Sequence, residues 1–401
     1  MTTGKKVSLF LALANTVILF FLTSWFWSLP WMAGDEKLMI WATSAIRLMN
    51  RDMPESQEFA LINVSYDQML IDKFDDFGFP VGNQVITDRQ KLTRLMQIIN
   101  HAEKKPKYVF CDLYFEESTT YDSALNAEMR LQQNLIVSIH LDDSGNPMYP
   151  VITDIKMGLS DYVIGNIFEG VYKFQLYFND TLKLTPLIMS EDLNNYQSEK
   201  KGPFVKIGNW ITLNYFIMNY RLLQKDIMYM EAGFNPVNLG ELLILPDADI
   251  STFLENKIVI IGDFFEHDMH ETLFEITSGP VVLINAYLTI INRDTVVNFF
   301  FIAIITMLYL GLSYLAIYPE DIIENYIRRK YGKIKWVGNV TSFMSYLIIL
   351  VVVSIFTYFV FNIHLNVFFL TIYIFIVEKL CTFIYKKVGN RTKNREVGNT
   401  I

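Results

Sequence analysis

The sequence predicts a membrane protein in which an extracytoplasmic α/β domain, with a largely parallel central sheet and flanking helices, is joined to four transmembrane helices. Three observations predict it. Four apolar segments, about Val7–Phe26, Val296–Tyr318, Val340–Phe361 and Leu365–Tyr385, each approach the roughly 20 residues that a spanning helix needs. Between the first and the second, short β-rich runs alternate with segments of helical spacing. The stretch Lys257–Asn292 reads as a buried strand, an acidic turn, a Gly-Pro break and a helix, and it enters the second apolar segment with almost no linker. The composition agrees, at 52% hydrophobic residues and a mean hydropathy of +0.25.

The first apolar segment is longer than the usual signal-peptide core of about 7–15 residues. It ends on bulky Trp25, Phe26 and Trp27 rather than on small residues at a cleavage site, and Trp25, Trp27 and Trp31 resemble an interfacial aromatic belt. An uncleaved anchor is therefore expected. Orientation follows from Lys and Arg, which favour the cytoplasmic side. Lys5 and Lys6 precede the first span, Arg328, Arg329, Lys330, Lys333 and Lys335 separate the second from the third, and Lys386, Lys387, Arg391, Lys393 and Arg395 follow the fourth. All of these fall on one side if both termini are cytoplasmic. The expected organisation is a cytoplasmic N-terminus (1–6), a transmembrane helix (7–29), an extracytoplasmic domain (30–293), a three-helix membrane region (294–385) with a basic loop at 319–339, and a basic tail (386–401). The expected location is a bacterial inner membrane, crossed several times.

Charge divides at the same boundary. Residues 33–293 carry 21 Lys/Arg and 36 Asp/Glu, a net −15, and the remainder carries +7. So acidic a domain argues against nucleic acid or anionic lipid as its ligand. The two cysteines, Cys111 in the outer domain and Cys381 in the last span, offer no internal disulfide, so the domain must be held by its core.

Within the outer domain, Phe59–Val64, Tyr108–Leu113, Leu135–Ile139 and Ile258–Ile261 read as strands. Thr87–His101 has helical spacing through Leu92, Leu95, Met96 and Ile99, with Thr87 or Asp88 as N-cap. Asp122–Gln133 is a second helix, and Pro106 separates the first helix from the next strand. The order β-α-β-α-β implies parallel strands with covering helices. The middle region, about Tyr149–Pro246, is expected to hold extra strands and one helix near Thr212–Leu223, with Lys200-Lys201-Gly202-Pro203 as an exposed loop.

The motifs FALINVSYDQ (Phe59–Gln68), PKYVFCDLYFEESTTYDSAL (Pro106–Leu125), IGN (Ile164–Asn166), LENKIVIIGDFFEHDMHET (Leu254–Thr272) and SGPVVLINAYLTIIN (Ser278–Asn292) occur in that order. With one span before them and three after, the chain resembles the second type of CHASE domain, the extracellular sensory family associated with cyclases and histidine kinases. The resemblance implies an extracytoplasmic sensory domain and covers nearly the whole chain. Two departures stand out. The approach to the first helix, FGFPVGNQVITDRQ, lacks the tryptophan usual there. Family members commonly continue into a kinase, cyclase or phosphodiesterase module, whereas this sequence ends shortly after its last span, so no enzymatic output of its own is expected.

Ligands of parallel α/β sheets sit outside the carboxyl ends of the strands. Asp67, Asp112 and Asp263 each fall just beyond such an end, and Asp122 and Asn166 can approach the same rim. Converging carboxylates suit a cation or a cationic or sugar-like ligand, although the same acids equally serve as helix caps and loop ties. The resemblance marks Asp112 and Asp268 as typical of the family. The group Asp263, Glu266, His267, Asp268, His270 and Glu271 is the densest set of metal-ligand types, and His267, His270 and Asp263 form a candidate metal set. Without HExxH, a thiol pair or a clear distant histidine, structural or surface use is the competing reading. The sequence holds no G-x-S-x-G, P-loop or G-x-G-x-x-G, and Cys111 within an apolar strand reads as a core residue. Glu378 and Lys379, near the cytoplasmic end of the last span, are expected to pair or snorkel there.

The leading expectation is a sensor or receptor-like subunit that detects a ligand or envelope state and signals through a separate partner, with no cofactor. Its partners would be the lipid bilayer, one or more proteins of the inner membrane or envelope, and an unknown small ligand. A scaffold subunit of an envelope complex is the main alternative, and a metal-dependent enzyme the weaker one.

Overall fold

The computed structural model describes residues 3–29, 51–74, 77–162, 171–230, 233–318 and 335–398. The chain divides into two compact units, one of Met1–Ala45, Trp210–Leu213 and Val296–Ile401, the other of Ile46–Asn209 and Asn214–Thr295.

The second unit is the α/β domain. It begins with β1 (Phe59–Asn63) and the antiparallel hairpin of β2 (Gln68–Phe74) and β3 (Pro80–Thr87). Helix Arg89–His101, β4 (Tyr108–Cys111), helix Asp122–Arg130, β5 (Leu135–Leu141), β6 (Pro147–Met148) and β7 (Met157–Leu159) follow. Next come β8 (Lys173–Gln175), helix Thr185–Asn194, the hairpin strands β9 (Ser198–Lys201) and β10 (Phe204–Ile207), then, past β11 (Trp210–Leu213), which belongs to the first unit, β12 (Tyr215–Ile217) and helix Gln224–Met228. The last part holds β13 (Val237–Asn238), helices Leu239–Leu242 and Asp247–Leu254, β14 (Ile258–Gly262), β15 (Met269–Glu271), β16 (Ile276–Ser278) and helix Gly279–Ile291.

The central sheet runs β13-β1-β14-β4-β5-β6, with β7 also paired to β5. Every pairing in it is parallel except that of β5 with β6. Its middle strands β1, β4 and β14 are buried on both faces, as their continuous apolar runs require. Alternate residues face opposite layers. Ala60, Ile62, Val109, Cys111, Val137, Val259 and Ile261 join Leu92, Leu95, Met96 and Ile99 of helix Arg89–His101 in one core cluster. Asp88 caps that helix by accepting from the backbone N–H groups of Gln90 at 2.9 Å and Lys91 at 3.1 Å. Cys111 is fully buried and free, and burial, then the Asp112 charge, push its thiol pKa up.

The middle region departs from expectation. No helix forms over Thr212–Leu223; β11 and β12 take its place, and the helix there is Gln224–Met228. Asn285 Oδ1 accepts the N–H groups of Arg221 at 2.7 Å and Leu222 at 2.9 Å, donors that a helix would use itself, while the Asn214 side chain is held by Tyr177, accepting from its N–H at 2.9 Å and donating to its carbonyl at 3.1 Å. Lys200 and Lys201 belong to β9 rather than to a loop, and the turn to β10 is made at Gly202, whose φ of 61° suits glycine.

Helix Gly279–Ile291 is buried from Gly279 through Ile290 and contacts β14. The chain then passes through residues 292–298, with Arg293 in the left-handed region at φ 53°, before helix Phe299–Ile317 begins. Asp294 in this joint accepts from Arg221 at 2.7 Å and from Asn219 at 2.8 Å.

Among the described residues, the first unit holds four helices long and apolar enough to cross a membrane: Val7–Trp27, Phe299–Ile317, Val340–Phe361 and Val367–Tyr385. Asn15 donates to Ser313 at 2.9 Å and accepts from Tyr373 at 2.7 Å, tying three of them together. Thr23 and Tyr309 share a further buried hydrogen bond at 2.5 Å. In an apolar solvent such groups need partners inside the protein. Glu378 pairs with Lys379 at 2.6 Å, as expected.

Candidate functional site

The register of the central sheet sets the site. Cys111 of β4 lies opposite Ile261 of β14 and Val137 of β5, and Val137 lies opposite Met157 of β7. The next residues, Gly262, Asp112, Ser138 and Gly158, therefore stand at the carboxyl edge. Asp112 Oδ1 accepts from the Ser138 hydroxyl at 2.6 Å, and Ser138 in turn accepts from Ser160 at 2.6 Å. Asp112 is 8% exposed, and its Oδ2 has no hydrogen-bond partner.

Asp112 lines a pocket of about 430 Å³. The wall also carries His140, Asp142, Asp143, Ser160, Asp161, Tyr162, Asp268 and His270, with Leu141, Val282 and Leu283 as its apolar part. Asp268 rests against Gly279, the first residue of the long buried helix. A Cβ on Gly279 would stand 2.0 Å from an Asp268 oxygen, so a side chain there would displace the carboxylate. A helix N-terminus favours a negative charge in that position. His270 Nε2 lies 2.6 Å from Asp268 Oδ1, and its Nδ1 shares a hydrogen bond with the Tyr162 hydroxyl at 2.8 Å. His140 lies 2.8 Å from Asp161, which also accepts the Leu141 N–H at 2.6 Å.

The electrostatics are unusual for a carboxylate. Burial, and after it the charge of Asp268, push the Asp112 carboxyl up to about 7, against the opposing pull of Ser138, His140 and His270. Burial disfavours a charged His140. Its hydrogen bond with Asp161 and the charges of Asp112, Asp161 and Asp268 outweigh that and raise its pKa. Burial, then Asp268 and Asp161, raise the Tyr162 phenol.

The remaining candidate residues are placed elsewhere. Asp67 accepts from Lys91 Nζ at 2.5 Å and from the Gly240 N–H at 3.0 Å. Asp122 ties Thr119 and pairs with the buried Arg89 at 3.4 Å. Asp263 closes a turn, accepting from the Ser65 hydroxyl and from the N–H groups of Phe265, Glu266 and His267. Asn166 lies outside the described residues. Of the six candidates, the pocket brings together Asp112 and Asp268. The candidate metal set is not assembled: His267 turns to Asp263 at 3.1 Å, while His270 turns to Asp268. Among the described residues, no group of three or more His, Cys, Asp or Glu is placed to hold a metal ion. Sequence reading missed Ser138, His140, Ser160, Asp161 and Tyr162. For His140 the available signal was the one that found Asp112, a polar residue just after an apolar run, here Leu135–Ile139; the residues that follow β7 carried no such signal.

Among the described residues, four helices long and apolar enough to cross a membrane and a largely parallel α/β domain define the class, that of membrane-associated α/β proteins. The chain belongs to the CHASE2 domain family, whose model matches residues 11–317. That match spans the first membrane helix, the α/β domain and the second membrane helix. Comparison with curated proteins and with solved structures gave no match.

Proposed function

We propose that the chain is a bacterial inner-membrane sensor or receptor-like subunit. Its α/β domain lies outside the membrane, detects a ligand in the Asp112–Asp268 pocket, and signals through a separate protein partner rather than through catalysis of its own. The observation that carries this reading is the position of the pocket against Gly279, Val282 and Leu283. These residues open the buried helix whose far end leads, through residues 292–298, into the second span. A ligand that favours one placement of this helix biases a two-state element, and a short folded joint conveys a shift that a flexible linker would absorb. The basic clusters support the topology, with residues 30–293 outside. Reporter fusions at Lys201 should read outside and at Lys333 inside; a cytoplasmic signal at Lys201 overturns the reading.

Mechanical coupling is tested by inserting a flexible Gly/Ser segment between Arg293 and Thr295. Membrane insertion and folding should persist. The association of the partner, identified by affinity purification from native membranes, should lose its response to Asp112→Asn. A partner that binds and responds normally to the insertion variant would shift the reading to a scaffold subunit.

A further inference from the structure

We propose that the Asp112–Asp268 pocket takes a small organic ammonium compound, with its nitrogen among the carboxylates and its hydrocarbon part against Leu141, Val282 and Leu283. The inference rests on the sensory reading above and adds the chemical class of the ligand. Its independent support is Asp112 itself, more than nine-tenths buried, with one oxygen held by Ser138 and the other unpartnered. Other buried carboxylates of this domain have a cation of their own. Asp67 has Lys91 at 2.5 Å, and Asp226 receives both guanidinium nitrogens of Arg51.

No such cation serves Asp112. Among the described residues that line the pocket there are five aspartates and neither Lys nor Arg. The two histidines are already engaged, His140 with Asp161 and His270 with Asp268 and Tyr162. A buried charge left in this condition is costly, so the complementary charge is the natural contribution of a ligand. A metal ion fits poorly, because no three ligand side chains converge among the described residues. An ammonium group needs only dispersed acceptors, and the apolar wall receives a carbon chain that a hydrated ion does not have. A volume near 430 Å³ lies at the lower end of the range for small-molecule sites. Anions are repelled, and a neutral polyol leaves the Asp112 charge uncompensated.

The test is calorimetric titration of the full chain in lipid nanodiscs with butylammonium, and with 1-butanol as its neutral counterpart. Butylammonium should bind saturably and 1-butanol should not. Asp112→Asn, which keeps its shape and its Ser138 partner, should weaken butylammonium about 30-fold or more. Should that variant fail to fold, Asp268→Asn, at a partly exposed site, should still weaken binding about tenfold. Equal binding of 1-butanol, or unchanged affinity in both variants, overturns the ammonium assignment. If butylammonium does not bind yet Asp112→Asn alters partner association, the ligand class is wrong and the sensory site stands. If neither occurs, both fall.

Discussion

Asp67 and Asp112 follow strands of the same parallel sheet and both are buried, but their surroundings answer the charge in opposite ways. Asp67 meets a lysine and a backbone N–H; Asp263, beyond the strand between them, meets a hydroxyl and three backbone N–H groups. Asp112 meets one hydroxyl and the charge of a second carboxylate. The difference teaches that an acid after a strand locates the sheet edge and nothing more. Its donors decide whether it ties the fold or waits for a partner.

The largest effect should come from the well-partnered side. Asp263→Ala removes four donors' common acceptor and should cost about 3 kcal/mol, read by chemical denaturation of the chain in detergent micelles. A loss below about 1 kcal/mol would mean that the turn adapts, and the contrast with Asp112 would weaken. Burial raises the Asp263 pKa, but its hydrogen bonds win and hold the folded value below the ordinary one. Its contribution is therefore present above the unfolded value of roughly 3.9 and fades as pH falls through the folded value.

Asp112 should behave in the reverse sense. Its folded carboxyl titrates near 7, whereas the unfolded one titrates at roughly 3.9, so over that interval the folded state holds the extra proton. Stability then falls as pH rises from about 4 to about 7, and levels off above. Asp112→Asn removes this slope, and its advantage over the wild type should grow by about 2 kcal/mol from pH 5 to pH 8. The groups that face Asp112 (Asp268, His140, His270 and Asp161) are present in both proteins, but His140 loses the Asp112 charge that raises its pKa, so the difference reports Asp112 together with its coupling to His140. Parallel pH profiles would show that Asp112 is ionised at no special cost, and the two acids would then be alike.

The spans and the four central strands were legible because they are set by runs of apolar residues, which sequence displays directly. Asp112 was legible for the same reason, since it closes the apolar run of β4, whereas Asp268 was marked by the family resemblance. The rest depended on pairing. His140 and Asp161 lie far apart from Asp268 in sequence and share a pocket because β4, β5 and β7 are adjacent and parallel. β7 spans only Met157–Leu159, too short for periodicity to register. The hairpin of β2 and β3 was missed because its strands are largely exposed and interleave apolar with polar residues, without the continuous apolar run of a buried strand. The helix expected near Thr212–Leu223 failed because Asn285, from across the fold, takes the N–H groups of Arg221 and Leu222, and Asn214 is tied to the Tyr177 backbone.

The smallest effect isolates the second carboxylate. Asp268 shifts Asp112 only if its charge is held near, and Gly279 is what lets it approach. In Gly279→Ala the new Cβ would fall 2.0 Å from an Asp268 oxygen. That oxygen ends a flexible, partly exposed side chain, so the carboxylate swings away and the helix start survives. Burial of Asp112 is unchanged, hence most of its raised pKa remains. The Asp268 share is lost, and the Asp112 titration should move down toward the ordinary carboxylate range without reaching it. The pH profile of unfolding should show the slope ending earlier. Gly240→Ala provides the matching change on the other side, where a Cβ would meet Asp67 at 2.6 Å and Lys91 at 3.1 Å. It strains an ion pair that is already complete, so it should lower stability without moving the Asp112 titration. If Gly279→Ala leaves that titration in place, Asp268 is not the charge that Asp112 feels, and the pocket reduces to a single buried acid.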